Sequence, residues 1–196
     1  MSDRPIHTGD RSRRAYLVTA TASGVAFLAG CLGGGGETTV PDPVDIEDDQ
    51  ACDQCDMRIA MHPGPVGQAY YLDDTPDELP DDREDGHARF CSSWCTYVYT
   101  LERDPSPAGI YTTDYSTVDY TVQTDAGTAV IDAHFGADAF ADVDDLTYVV
   151  DSDVEGAMGG SLIGFSESAD AEAFSDEYGG ELVEHGDVTL ELVRGL

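Results

Sequence analysis

Lysine is missing altogether. All nine basic residues are arginine, set against forty aspartates and glutamates, for a formal net charge of −31. Four of those arginines (Arg4, Arg11, Arg13, Arg14) and two of the acids fall in the first thirty residues, so the rest of the chain carries five arginines against 38 acids. Such a surface repels phosphate backbones and excludes nucleic acid as a partner. The acids are spread along the whole chain, which points to a solvated surface suited to high salt; an acidic metal sponge is the competing reading. Long hydrophobic runs are lacking as well, and the one from residue 15 to residue 30 is too short for a membrane span. Methionine is scarce: after the initiator only Met57, Met61 and Met158 occur.

That one apolar run follows Arg11-Ser12-Arg13-Arg14 and ends in small residues, the pattern of an export signal. Arg13-Arg14 before Tyr16-Leu17 is similar to a twin-arginine signal, whose cargo crosses the membrane folded. Leu28-Ala29-Gly30-Cys31 is similar to a lipobox, which would make Cys31 the lipidated N-terminus and hold the protein to the outer face of the cell membrane; a plain uncleaved anchor is the alternative. Residues 1–30 are therefore read as the signal and residues 31–49, rich in Gly, Pro and acids, as a flexible tether. The folded part is expected to begin near Gln50.

What is present, and concentrated, is sulfur. Cys52, Cys55, Met57, Met61 and His62 fall within eleven residues. Thiolate and thioether donors prefer soft, polarisable metals, Cu(I) above all. A second pair, Cys91 and Cys95, follows; two residues separate the first pair, three the second, and 35 lie between. Paired cysteines at this spacing are a metal-site signature, while outside the cytoplasm the same thiols could be disulfides.

The mature chain starts over half-way. Residues 66–72 have strand character, residues 87–90 form a short strand, and a helix runs from Cys91 to Arg103, capped by Ser92 or Ser93. On that helix Trp94, Val98 and Leu101 share one face and Cys91, Cys95 and Tyr99 another. Residues 110–123 are Tyr/Thr/Val-rich and alternating. After the turn Asp125-Ala126-Gly127, strands are expected at 128–132, 146–150 and 161–165. A helix is expected at 168–178 with Ala169, Ala173 and Phe174 inward, then strands at 181–183 and 188–193. The fold class is α+β: two tandem ββαβ units, the first over residues 50–123 with the Cys/Met site and the second over 124–196.

These residues carry a resemblance. Cys52-Asp53-Gln54-Cys55-Asp56-Met57, His62-Pro63-Gly64-Pro65-Val66-Gly67-Gln68-Ala69, Phe90-Cys91-Ser92, Ile131-Asp132-Ala133, Gly156-Ala157-Met158-Gly159 and the helix containing Asp170-Ala171-Glu172-Ala173-Phe174 before Gly179-Gly180 resemble, in order and spacing, the NosL family. Its members are copper-binding accessory lipoproteins of nitrous oxide reductase maturation. The resemblance implies homologous ββαβ units with treble-clef-like character, bound Cu(I), and delivery toward the copper sites of nitrous oxide reductase, together with its copper-maturation machinery. Two features depart from the family. Asp56 stands where Cys-Gly-Met is usual, and a glycine there suggests a positive φ that aspartate tolerates better than most residues. Cys95 makes the cysteines two-plus-two, which leaves open a structural zinc knuckle of the TRASH type.

Cys55 and Met57 are the first candidate ligands, because on an extended segment residues two apart face one side. Met158 is the third: its flanking glycines suit close backbone approach better than core filling. Cys52, Cys91 and Cys95 are candidates for either copper or zinc. Met61 and His62, beside Pro63, belong to a turn, and His87, His134 and His185 are expected at the surface. No stretch pairs a nucleophile with a base and an orienting group, so no enzyme is expected. Three readings stay open: Cu(I) metallochaperone, zinc-holding module and thiol–disulfide protein.

Overall fold

The computed structural model describes residues 39–81 and 83–196. The expected export signal, the expected lipidation site Cys31 and the start of the expected tether lie outside the described residues. Two ββαβ units follow one another, each with its first strand in the middle of its sheet. In the first, β1 (Gly67–Tyr70) pairs antiparallel with both β2 (His87–Phe90) and β3 (Gly109–Thr113), and α1 (Ser93–Glu102) connects the latter two. In the second, β7 (Thr147–Val150) pairs antiparallel with both β9 (Ile163–Phe165) and β10 (Glu181–Glu184), which α2 (Ser168–Tyr178) connects. Equal pairing around an equal central strand is what a duplicated unit produces.

The units are laced together. Strand β6 (Phe140–Asp142) comes from the second half yet closes the first sheet beside β3. A third small sheet joins β4 (Val122–Asp125), β5 (Thr128–Ile131) and β8 (Val154–Glu155). Thr112 and Tyr148 share a buried hydrogen bond at 2.8 Å, and Ser93 Oγ meets Ser161 Oγ at 3.0 Å while accepting from the Leu162 N–H. No described helix is long and apolar enough to cross a membrane.

Helix α1 is the pivot. Ser92 caps it, its Oγ accepting from the Cys95 N–H at 3.0 Å, which satisfies one of the free amides of the first turn. One face puts Cys95 and Tyr99, together with Cys91 just before the helix, into a core with Ile59, Tyr71 and Phe90. The opposite face puts Tyr97 and Val98 into a second core with Leu146, Tyr148 and Leu162. Trp94 packs against both cores, and Leu101 is left exposed.

Several expectations need correction. The tether ends sooner than residue 49. Gln68 binds the backbone of Val44 twice, Tyr70 and Tyr111 donate to the carbonyls of Asp42 and Pro41, and Ile46 is buried. In α2 the inward residues are Ala171 and Phe174, while Ala169 and Ala173 face out. Phe174 stacks against Phe165, Tyr120 and Tyr178, and that aromatic group sets the helix's rotation. Residues 188–193 are not a strand: Thr189 caps a short helix, α3 (Leu190–Gly195), through the Leu192 N–H, and buried Val193 reaches the second core. Val, Leu and Thr suit either state alone, and the cap with a place to bury Val193 decides it.

Candidate metal centre

Cysteines from two parts of the chain converge. The Sγ atoms of Cys52, Cys55, Cys91 and Cys95 all lie within 4.8 Å of one another. Cys55 Sγ is 3.5 Å from Cys91 Sγ, and Cys91 Sγ is 3.7 Å from Cys95 Sγ. Four sulfurs at about 2.3 Å from one tetrahedral ion stand about 3.8 Å apart, so the cluster has the dimensions of a four-thiolate site. All four are free thiols.

Local backbone explains each position. Cys52 and Cys55 sit on a tight knuckle. The Cys52 N–H donates to the Met57 carbonyl, and the Asp56 N–H donates back to the Cys52 carbonyl, both at 2.8 Å. Closing so short a loop takes a left-handed residue, and Asp56 has φ +62° where the family's glycine is usual. The segment is therefore a turn and not extended, so the face-sharing argument for Cys55 and Met57 does not hold. Cys91 follows β2 directly, just ahead of the Ser92 cap, and Cys95 is in the first turn of α1. That is the positive end of the helix dipole, which favours thiolate over thiol.

Charge is arranged around the knuckle. Asp53, between the first two cysteines, accepts from Arg83 at 2.5 Å and from the Arg89 N–H at 2.8 Å, and its own N–H donates to the Arg89 carbonyl. Gln54 accepts from Arg103, whose guanidinium also lies 4.1 Å over the Tyr99 ring. In a chain so poor in cations, two guanidiniums sit beside one knuckle, each paired with a carboxylate, Arg83 with Asp53 and Arg103 with Glu78. Burial still outweighs Arg83 and pushes Asp53 up to about 6. Within the cluster, hydrogen bonds from the Cys91 and Cys95 thiols pull Cys52 far down. The same bonds to Cys52 push Cys91 and Cys95 up, and burial pushes Cys55 up. An incoming soft cation would replace the remaining protons.

The methionines are placed differently from one another. Met57 is partly buried and packs on the core that holds the cysteines, as does Ala157. Met158 is 39% exposed in a tight turn closed by hydrogen bonds between Gly156 and Gly159. A Cβ on Gly156 would lie 2.5 Å from the Gly64 carbonyl oxygen, so this glycine permits close approach between the turn and the loop at residues 62–65. Met61 is 70% exposed at the end of a short 3₁₀ turn, and His62 follows as its C-cap.

The three histidines expected at the surface are half-buried. His87 stacks on Tyr70 with ring centroids 4.8 Å apart, and burial pulls it down to about 4. His185 shares a 2.9 Å hydrogen bond with Tyr97. His134 lies 3.6 Å from Asp132, whose carboxylate accepts from Thr121. Sequence reasoning missed Asp53, Gln54, Arg83 and Arg103; the scarcity of cations was the signal that could have found the two arginines.

A family model described as NosL matches residues 43–193. The copper-binding lipoprotein NosL of Stutzerimonas stutzeri is 26% identical over 155 residues, covering 78% of this chain and 69% of that relative. The crystal structure of the copper chaperone NosL from Shewanella denitrificans is similar with a TM-score of 0.61 at 25% identity, over 78% of this chain and 99% of that one.

Proposed function

The chain belongs to the NosL family, and on that footing we propose that it is a Cu(I) metallochaperone, held at the outer membrane face through Cys31, that supplies copper for maturation of nitrous oxide reductase. The observation that carries this reading is the gathering of four thiols within 4.8 Å in a relative of copper-binding lipoproteins. Sulfur donors hold Cu(I) strongly, and a carrier must release it by ligand exchange rather than by passing it through free solution. The candidate ligands are Cys55 and Met57 on the knuckle, Cys52, Cys91 and Cys95 in the core, and the exposed Met158 from the second half, of which no more than about four would hold one Cu(I) at a time. The protein carries the ion and performs no chemistry on it.

Anaerobic titration of the soluble fragment from residue 39 with Cu(I) against a competing chelator tests this. One ion per chain is expected, and failure to compete at all would sink the reading.

Four donors at tetrahedral spacing, three of them buried, also favour a second reading: resident Zn(II) in a closed four-thiolate site. That reading expects stoichiometric zinc on purification, unfolding by chelator, and zinc that Cu(I) does not displace. Elemental analysis before and after Cu(I) addition separates the two.

A further inference from the structure

The four thiols are not equivalent. Cys52, Cys91 and Cys95 keep 2%, 0% and 0% of their surface, whereas Cys55 is only half-buried. Their backbones differ as well. Cys52 is clamped by the paired hydrogen bonds to Met57 and Asp56, Cys91 is fixed between β2 and the cap, and Cys95 is held by the first turn of α1. Cys55 stands at the end of the knuckle turn, packs on the edge of the core and brings its Sγ to 3.5 Å from Cys91 Sγ. The rim on this side carries exposed Asp56 and partly buried Met57. Ala157 packs on the same core, one residue from the exposed Met158.

We propose that the thiol cluster has a single entrance, past Cys55 on the rim that carries Met57, and that Cu(I) leaves through it to an acceptor protein presenting a thiolate or thioether. This rests on the carrier reading above. The incoming sulfur attacks the ion from the open side, and the bond between copper and Cys55 Sγ is the first to break. Releasing Cys55 leaves its thiolate where water can reach it; releasing any of the other three would leave an uncompensated charge in the core, which costs far more. Copper stays Cu(I) throughout, and the proton lost by an acceptor thiol is taken up by Cys55. The three sealed thiols hold the ion until the acceptor is engaged, so escape to solvent is suppressed while handover is not.

The test compares three forms of the soluble chain under anaerobic conditions: native, alkylated with iodoacetamide, and Cys55→Ser. Mapping the alkylated apo protein by mass spectrometry should show Cys55 modified at least about tenfold faster than the other three. Uptake of Cu(I) from its bicinchoninate complex should then be at least tenfold slower in the capped protein. Cys55→Ser, which loses the same ligand without adding bulk, should bind less tightly than native and take up copper at least about tenfold faster than the capped protein. Alkylation of the buried thiols as fast as Cys55, or equal uptake rates in the capped protein and Cys55→Ser, would overturn the entrance. Absence of any uptake by native protein would instead refute the carrier reading, and the alkylation pattern would still decide where the cluster opens.

Discussion

Cys55 and Cys91 are 36 residues apart in the chain, and their sulfurs are 3.5 Å apart in the fold. The four thiols are brought together by the hydrogen bonds that close the knuckle and by the capped first turn of α1. An ion that binds there stabilises the whole arrangement by mass action, by about 4 kcal/mol at a thousandfold excess over its dissociation constant. Thermal unfolding should therefore shift upward on loading with Cu(I) or Zn(II). The shift should vanish in Cys91→Ser, because Cys91 touches both Cys55 and Cys95.

Asp53 fastens the knuckle to β2 and to Arg83. With side-chain exposures of 7% and 16%, the pair is largely withdrawn from water. Asp53→Ala leaves a buried guanidinium and the Arg89 amide without a partner, which should cost about 2–4 kcal/mol. Denaturant midpoints of the apo protein measure it. A metal affinity that falls together with stability shows that Asp53 works by positioning Cys52 and Cys55.

Gly156→Ala forces a methyl group to within 2.5 Å of the Gly64 carbonyl and 2.9 Å of Ser161 Oγ. Backbone cannot yield as a side chain end can, so a loss of about 1–3 kcal/mol is expected. If the turn presents Met158 to the ion, Gly156→Ala and Met158→Leu should weaken Cu(I) binding alike, whereas only the former should lower stability.

His87 is neutral in its stack with Tyr70, since burial holds it near 4 against an ordinary value of 6.5. The unfolded chain thus takes up a proton between those two values that the folded chain refuses. Stability from this group is full above pH 6.5 and is lost as pH falls toward 4. In His87→Phe the stack can persist without a titrating group, so the difference in unfolding free energy between variant and native should grow on acidification over that window. A pH-independent difference would show that His87 does not titrate as described.

Much of the architecture was legible in the chain. The first strand, the capped helix after Phe90, and the repeat of strand, strand, helix, strand all follow from period, caps and turn residues, which act over a few neighbours. The positive φ at residue 56 was expected only through the family resemblance, from the glycine usual at that place. Local pattern failed at the rotation of α2 and at α3, where Phe174 and Val193 follow the aromatic and aliphatic partners waiting for them.

By itself, then, the sequence determined the composition of the surface, the order of the two units, and the stock of soft donors with the spacing of each cysteine pair. Only the tertiary structure decided that the two pairs form one cluster, that three thiols are sealed and one is open, and that Arg83 and Arg103 brace the knuckle. The reason is physical. Spacing along a chain sets which residues share a turn, whereas burial and convergence depend on how β2, α1 and the knuckle pack, and those contacts join residues more than thirty positions apart.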